Sequence, residues 1–372
     1  MSHQYAVNPR PPTSCAVCPF LRKCGGLEGP ASDNGCFQRC VDYCQFHGCD
    51  LACPCLHLSF AELIEDVEGL CVPPRETLKP CVGTLPFYIT QILHGSRRDV
   101  PLQERAVAVP LTSLVWRDQA GRYGVKYSTP ESMREGLMLS RETEVIVTSV
   151  GYDQPLEDFW AEHVKRDVLT HLAALKIRAM TVPNFSFMSD VPRINSLYNL
   201  TRMHRLAERM TAANIPTVMH LQACTHWDWR QWATILRDQP TMNVVAMEFQ
   251  TGARRQKVGN KYYGGLVELQ DHLGRSLHPI VIGGSGRVRD LAQHFDSFSV
   301  VDATPFMKTV YRQEILAARQ SAETNCPHST EPGASLSGLL AHNIASRRAR
   351  LLQKVEESGA QFGTRILMPS AA

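Results

Sequence analysis

The chain has 372 residues, which is enough for one large domain and a smaller one. Hydrophobic residues make up 44% and charged residues 20%, as in globular proteins rather than disordered ones. The net charge of +3 excludes a strongly basic, histone-like nucleic-acid binder, although it allows a local basic groove. No apolar run approaches the ~18 residues that span a bilayer, and the amino terminus lacks an apolar signal core. We therefore expect a cytoplasmic protein without a membrane partner.

The first feature along the chain is a cluster of thiols, because nine of the 13 cysteines fall before residue 56. In a reducing compartment, cysteines this dense favour metal binding over disulfides, while buried reduced thiols are the structural alternative. Four thiolates bind one zinc ion or one [4Fe–4S] cluster, and the spacings together with Cys53-Pro54 slightly favour iron–sulfur. We predict a Cys-rich metal-binding region over residues 1–83. Its candidate ligands are Cys15, Cys18, Cys24, Cys36, Cys40, Cys44, Cys49, Cys53 and Cys55.

After Cys81, short apolar runs alternate with stretches of helical periodicity. Eight such units over residues 84–320 predict an α/β fold, a (β/α)8 barrel, with an open doubly wound sheet as the alternative. Residues 321–372 are predicted to form a linker and a basic helix over Leu339–Glu357. The predicted strands are Leu85–Ile92, Ala106–Leu111, Glu144–Val150, Ile177–Val182, Ile215–Leu221, Asn243–Phe249, His278–Ile282 and Ser297–Asp302. The main predicted helices are Pro155–Leu175, Arg193–Ala213, Trp227–Leu236, Tyr262–Leu273, Arg287–Phe295 and Pro305–Arg319.

Polar residues follow most of these strands, where the catalytic residues of a barrel lie. Buried polar groups at that place need partners, and a substrate is one candidate partner. The polar residues and loop glycines that follow the predicted strands are Asp153, Asn184, Ser186, Gln222, Glu248, Gln250, Gly283, Gly284 and Asp302.

Three of these segments, in order, carry a family resemblance. VMHLQA contains Gln222, HPIVIGG ends at Gly284, and FDSFSVVDATPFMK contains Asp302. Together they resemble the tRNA-guanine transglycosylase superfamily and its DNA-acting paralogues, over residues 144–312. The resemblance implies a (β/α)8 barrel that exchanges a nucleobase, with Gln222 holding the base and Asp302 as nucleophile.

The chain also departs from that family. Asn184 stands where the family has a base-reading aspartate, and an amide offers both a donor and an acceptor. A base other than guanine or deazaguanine therefore becomes an option. The family's zinc-binding cysteines follow the last strand, where this chain has only Cys326. The segment VPNFSFMSDVP is similar to an uncharacterised bacterial and phage domain family as well.

The residues themselves suggest the same chemistry. A carboxylate at Asp302 could attack an anomeric carbon, and Asp153 or Glu248 could protonate the leaving base. The alternative is that Asp302 and Asp153 cap the helices that follow them.

Other residues point to a nucleic-acid partner, DNA rather than tRNA. The Gly283–Gly286 loop would suit a phosphate, with Lys308 nearby, and Trp227 could stack on a flipped base. The alternatives are a plain tight turn, a solvated charged loop and a packed tryptophan.

The leading hypothesis is an enzyme of N-glycosidic bonds, either a base-excising glycosylase or a transglycosylase, acting on modified or phage DNA in DNA modification or antiviral defence. The alternatives are a non-enzymatic, zinc-containing nucleic-acid-binding protein and an iron–sulfur redox enzyme.

Overall fold

Eight parallel strands close into a barrel in this computed structural model. It describes residues 15–19, 21–26, 52, 57–70, 73–187, 193–251, 256–316, 325–328, 330–331 and 333–359. The barrel strands are β1 (Tyr88–Gln91), β2 (Ala106–Pro110), β5 (Glu144–Thr148), β6 (Ala179–Thr181), β7 (Thr217–His220), β8 (Val244–Glu248), β9 (His278–Ile282) and β10 (Ser299–Asp302).

The strands follow one another around the barrel in chain order, and β10 closes it by pairing with β1. All eight predicted strands coincide with these eight, so the (β/α)8 prediction is confirmed. The hairpins are β3 (Val115–Arg117) with β4 (Tyr123–Val125), and β11 (Gln313–Ile315) with β12 (Asn325–Pro327).

Helices follow most barrel strands and cover the outside of the barrel. None of the helices among the described residues is long and apolar enough to span a membrane. The helices are α1 (Leu21–Cys24), α2 (His57–Asp66), α3 (Leu111–Leu114), α4 (Pro130–Gly136), α5 (Asp153–Glu162), α6 (Val168–Ala174), α7 (Arg193–Ala212), α8 (His226–Asp238), α9 (Gln256–Leu273), α10 (Val288–His294), α11 (Thr304–Val310) and α12 (Ser337–Glu356).

Two predicted helices differ from the structure. The predicted helix Pro155–Leu175 is two helices, α5 and α6, and the chain between them passes through Asp167 in the left-handed region with φ of 48°. The predicted helix Pro305–Arg319 ends at Val310, because Arg312 also turns left-handed, with φ of 53°, and leads into the β11–β12 hairpin.

The barrel interior is filled in layers by side chains from alternate strands. Strand pairing and the alternation of side chains along each strand give the position of each interior residue along the barrel axis. Cys81 and Leu85 pack at the amino-terminal end, so Cys81 belongs to the barrel core rather than to the Cys-rich region predicted over residues 1–83. From the centre towards the carboxyl ends follow Ile89, Ile146, Val218 and Ile280, then Ala108, Thr181, Ala246 and Val301, then Gln91, Thr148, His220 and Ile282.

Helices α8 and α9 pack closely through a glycine. A Cβ at Gly265 would lie 2.1 Å from the ring of Trp229, whereas one at Gly264 would meet nothing within 4 Å. We expect Gly265→Ala to lower the free energy of unfolding by about 1–3 kcal/mol. The matched control Gly264→Ala should raise it by up to ~1 kcal/mol, because alanine favours the helix. Urea denaturation measures both, and equal effects at the two positions would contradict this packing.

Candidate active site

One interior layer near the carboxyl ends of the strands is polar. We call it the polar layer; it consists of Gln91, Thr148, His220 and Ile282. His220 has no exposed surface, and both of its ring nitrogens lack a hydrogen-bond partner among the described residues. Oε1 of Gln91, on the opposite side of the barrel, is also buried without a partner. Native proteins rarely leave such groups unpaired, so this layer has hydrogen-bonding capacity to offer a bound molecule.

Burial keeps the His220 side chain neutral, because it lowers the pKa of that imidazole to about 3. A neutral imidazole has one N–H donor and one nitrogen acceptor. His220 can therefore donate one hydrogen bond and accept another without carrying charge.

Glu248 lies one layer further towards the barrel mouth than His220. Alternation with Val244 and Ala246, which pack in the interior, places its side chain on the inner face of β8. Its carboxylate accepts hydrogen bonds from the Gln250 amide (2.7 Å), the Thr251 amide (3.1 Å) and the Thr251 hydroxyl (2.6 Å). The site thus holds a positioned carboxylate above the polar layer.

Three predicted substrate-binding residues lie together beyond the ends of β6 and β7. The amide N–H of Asn184 donates to Ser149 O (2.9 Å), and its side-chain Oδ1 is buried without a partner in the part of the chain that the structure describes. Gln222 is buried, and its Nε2 donates to Phe185 O (2.9 Å). The hydroxyl of Ser186 donates to Asp153 Oδ1 (2.6 Å). Asp153 is the first residue of α5, but the N-cap position is Tyr152 and no side chain caps the helix, so the capping alternative is wrong for Asp153.

Asp302 is placed differently from what the nucleophile prediction requires. Val301 packs in the barrel interior, so Asp302 points outwards, into the layer beneath α12. Its Oδ2 accepts from Arg347 Nε (2.7 Å), and its Oδ1 accepts from the Thr304 amide (2.8 Å). Asp302 is 5% exposed and its carboxylate forms a buried ion pair with Arg347 outside the barrel interior, so its contacts are those of a structural residue.

The glycine loop after β9 borders a cavity of about 410 Å³. Gly283 has φ of 75°, and a Cβ there would lie 2.2 Å from the side chain of the exposed Gln250. A Cβ at Gly284 would collide with Val281. Arg287 lines the same cavity and donates to Asn260 Oδ1 (2.7 Å). Among the described residues, the predicted phosphate loop therefore borders an open recess whose charged lining residues are Arg287 and Asp290.

Lys308 and Trp227 have partners within the protein. Lys308 Nζ donates to Gln313 Oε1 (2.9 Å). The ring of Trp227 packs against Gly25 of the amino-terminal segment, and the Arg193 guanidinium lies 5.8 Å from its centroid. Trp229 and Trp232 are buried, as the packing alternative predicts.

Three of the nine candidate metal ligands are described. Cys15 is buried, Cys18 and Cys24 are half-buried, and the Gly26 amide donates to Cys24 Sγ (3.2 Å). Within the described ranges, no three His, Cys, Asp or Glu side chains are grouped to hold a metal ion. The remaining candidates, Cys36, Cys40, Cys44, Cys49, Cys53 and Cys55, lie outside the described residues.

Neutral buried histidines give the protein a predictable acid sensitivity. Burial lowers the pKa of His163 to about 4, of His220 to about 3 and of His278 to about 4. Below about pH 6.5 the unfolded chain binds protons at these histidines and the folded chain does not. We expect stability to fall as the pH drops from about 6.5 to 4, by up to about 1.4 kcal/mol per pH unit for each histidine.

The variant His220→Phe should remove about a third of this slope, as measured by urea denaturation at several pH values. A slope unchanged in His220→Phe would contradict a neutral His220.

No protein-family description matches the sequence, and a search against curated proteins returns no match.

Neither His220 nor Gln91 was predicted from the sequence to be a site residue. Both are polar residues at the end of an apolar strand, the same signal that selected Gln222 and Glu248. Because each barrel strand is buried on both faces, the sequence alone does not reveal which face a terminal polar residue occupies.

Proposed function

We propose that the chain is an enzyme that cleaves or exchanges N-glycosidic bonds in nucleic acid and binds the base at the carboxyl-terminal mouth of its barrel. One observation carries the proposal: hydrogen-bonding groups of Asn184, Gln91 and His220, buried and unpartnered among the described residues, lie at the end where (β/α)8 barrels bind substrates. Polar groups of this kind suit a small, planar, polar heterocycle. The fold is one that commonly carries enzyme active sites.

Glu248 is the carboxylate we assign to the reaction, since it lies on the inner face of the barrel at the carboxyl-terminal end of its strand. Its oxygen attacks C1′, and the electron pair of the C1′–N bond leaves with the base, which takes up a proton from water. Water or an incoming base then attacks C1′ and releases the carboxylate. The anion also stabilises the oxocarbenium character of the transition state.

We propose nucleic acid, and DNA in particular, as the substrate because the sequence resembles base-exchanging enzymes. The recess beside the glycine loop supports it, because Arg287 lies where a sugar–phosphate backbone could pass. Arg287 also forms an ion pair with Asp290 (3.5 Å). A contact between Arg287 and a phosphate would therefore contribute only modestly to binding.

Metal binding by the amino-terminal thiols, as zinc or a [4Fe–4S] cluster, stays a prediction. The described thiols do not by themselves form a metal-binding group, so we assign no step of the reaction to a metal. Metal analysis of anaerobically purified protein, compared with Cys15→Ser, measures whether a metal is held.

A base-release assay tests the proposed function. The full chain is incubated with unmodified DNA, modified phage DNA and tRNA, and released bases and abasic sites are measured by mass spectrometry. We expect release from at least one DNA substrate. Binding to nucleic acid without release from any substrate would contradict the enzyme and favour the non-enzymatic alternative.

A further inference from the structure

We infer that His220 and Gln91 form the deep subsite of the barrel and hold the polar edge of an uncharged base, with the sugar towards Glu248. This inference rests on the proposed function, because it assigns the orientation of the base in the same site. It adds two substrate-contacting residues on opposite strands, β7 and β1.

The charges around the subsite select an uncharged ligand. The other side chains of the polar layer are Thr148 and Ile282, and Ala108, Thr181, Ala246 and Val301 form the layer below. None of them carries charge. An anion would find no positive partner there, and Glu248 above would repel it. His220 and the Gln91 amide instead offer neutral donors and acceptors, which match the edge of a base.

The order of the layers fixes the orientation. The groups that can hydrogen-bond a heterocycle lie deeper, and the carboxylate lies nearer the mouth. A base that entered edge-first would place its glycosidic nitrogen and C1′ at the height of Glu248. Gln91 is half-buried, whereas Thr148, His220 and Ile282 are buried, so Gln91 is the member of the polar layer with the most solvent contact.

A comparison with a second barrel histidine shows that His220 is unusual. His278, on β9, has both ring nitrogens 2.8 Å from hydroxyls, those of Ser297 and Ser299. His220 is more deeply buried than His278, which is half-buried, but has neither contact among the described residues. An unpaired buried imidazole costs stability, and a residue that costs stability is expected where function requires it.

The test uses free adenine, guanine, cytosine and thymine as probes, with binding to the full chain measured by calorimetry. We expect at least one base to bind, and His220→Phe and Gln91→Leu each to weaken it by about tenfold or more. The melting temperature of His220→Phe should equal or exceed that of the parent. The control His278→Phe should melt at a lower temperature and, where folded, bind the same base as the parent does.

The outcomes separate this inference from the proposed function. Binding that depends on His220, without base release from any nucleic acid, would support the subsite and overturn the reaction. Base release that persists unchanged in His220→Phe would overturn the subsite and leave the reaction standing. The subsite is also overturned if none of the four bases binds, or if the folded His220→Phe variant binds as the parent does.

Discussion

Asp228→Ala should lower the free energy of unfolding by about 3–5 kcal/mol, the largest stability effect we expect from a single substitution. Asp228 is fully buried and forms a two-pronged ion pair with Arg193, which is 2% exposed. Its Oδ2 also accepts from the amides of Cys224 (2.7 Å) and Thr225 (3.1 Å). Without the carboxylate, the Arg193 charge stays buried without this partner and the β7–α8 turn loses its anchor.

The same ion pair connects the amino-terminal segment to the barrel, since Arg193 Nε donates to Cys24 O (3.0 Å). Guanidinium denaturation measures the effect. The control is Glu68→Ala, which removes an exposed ion pair with Arg75 and should change stability by less than about 0.5 kcal/mol. A loss for Asp228→Ala no larger than for Glu68→Ala would show that the buried pair contributes little.

Glu248→Gln should reduce the rate of base release by on the order of 10³-fold with the fold retained, because the amide is a poor nucleophile yet still accepts one loop hydrogen bond. For Asp302→Asn we expect the opposite pattern, a loss of stability with the rate of base release retained. It weakens the partnership with Arg347, so stability falls, while the folded fraction keeps a rate within about threefold of the parent.

These two variants distinguish an inward-facing from an outward-facing carboxylate. Single-turnover base release, normalised to the folded fraction from circular dichroism, gives the comparison. If Asp302→Asn is folded but inactive while Glu248→Gln is active, the nucleophile is Asp302, as the family resemblance implies.

The barrel strands were accessible from the sequence for a physical reason. A parallel strand that is buried on both faces is a short apolar run, and helical periodicity separates one run from the next. His278–Ile282 was predicted with the same bounds that the structure has. The β11–β12 hairpin was not predicted, because each of its strands has only three residues, too few to show a periodic pattern.

Because the strands are buried on both faces, the sequence did not show whether the site residues point into or out of the barrel. Asp302 follows Val300 and Val301, and such a run has no alternation that would mark its inner face. The orientation came from strand pairing: Val301 lies opposite Ile282 and packs inside, so Asp302 faces outwards. By the same pairing Glu248 and His220 face inwards, and only one of these two was a predicted site residue.

The position of a bound base shows whether the barrel mouth is the substrate-binding site. We predict that, in a crystal structure of the full chain with the base it releases, the ring lies in the barrel mouth. Its polar atoms should lie within about 3.2 Å of His220 and Gln91, with Glu248 on the side of the glycosidic nitrogen. A base seated instead in the recess beside Gly283 and Arg287, with the polar layer free of it, would contradict the account.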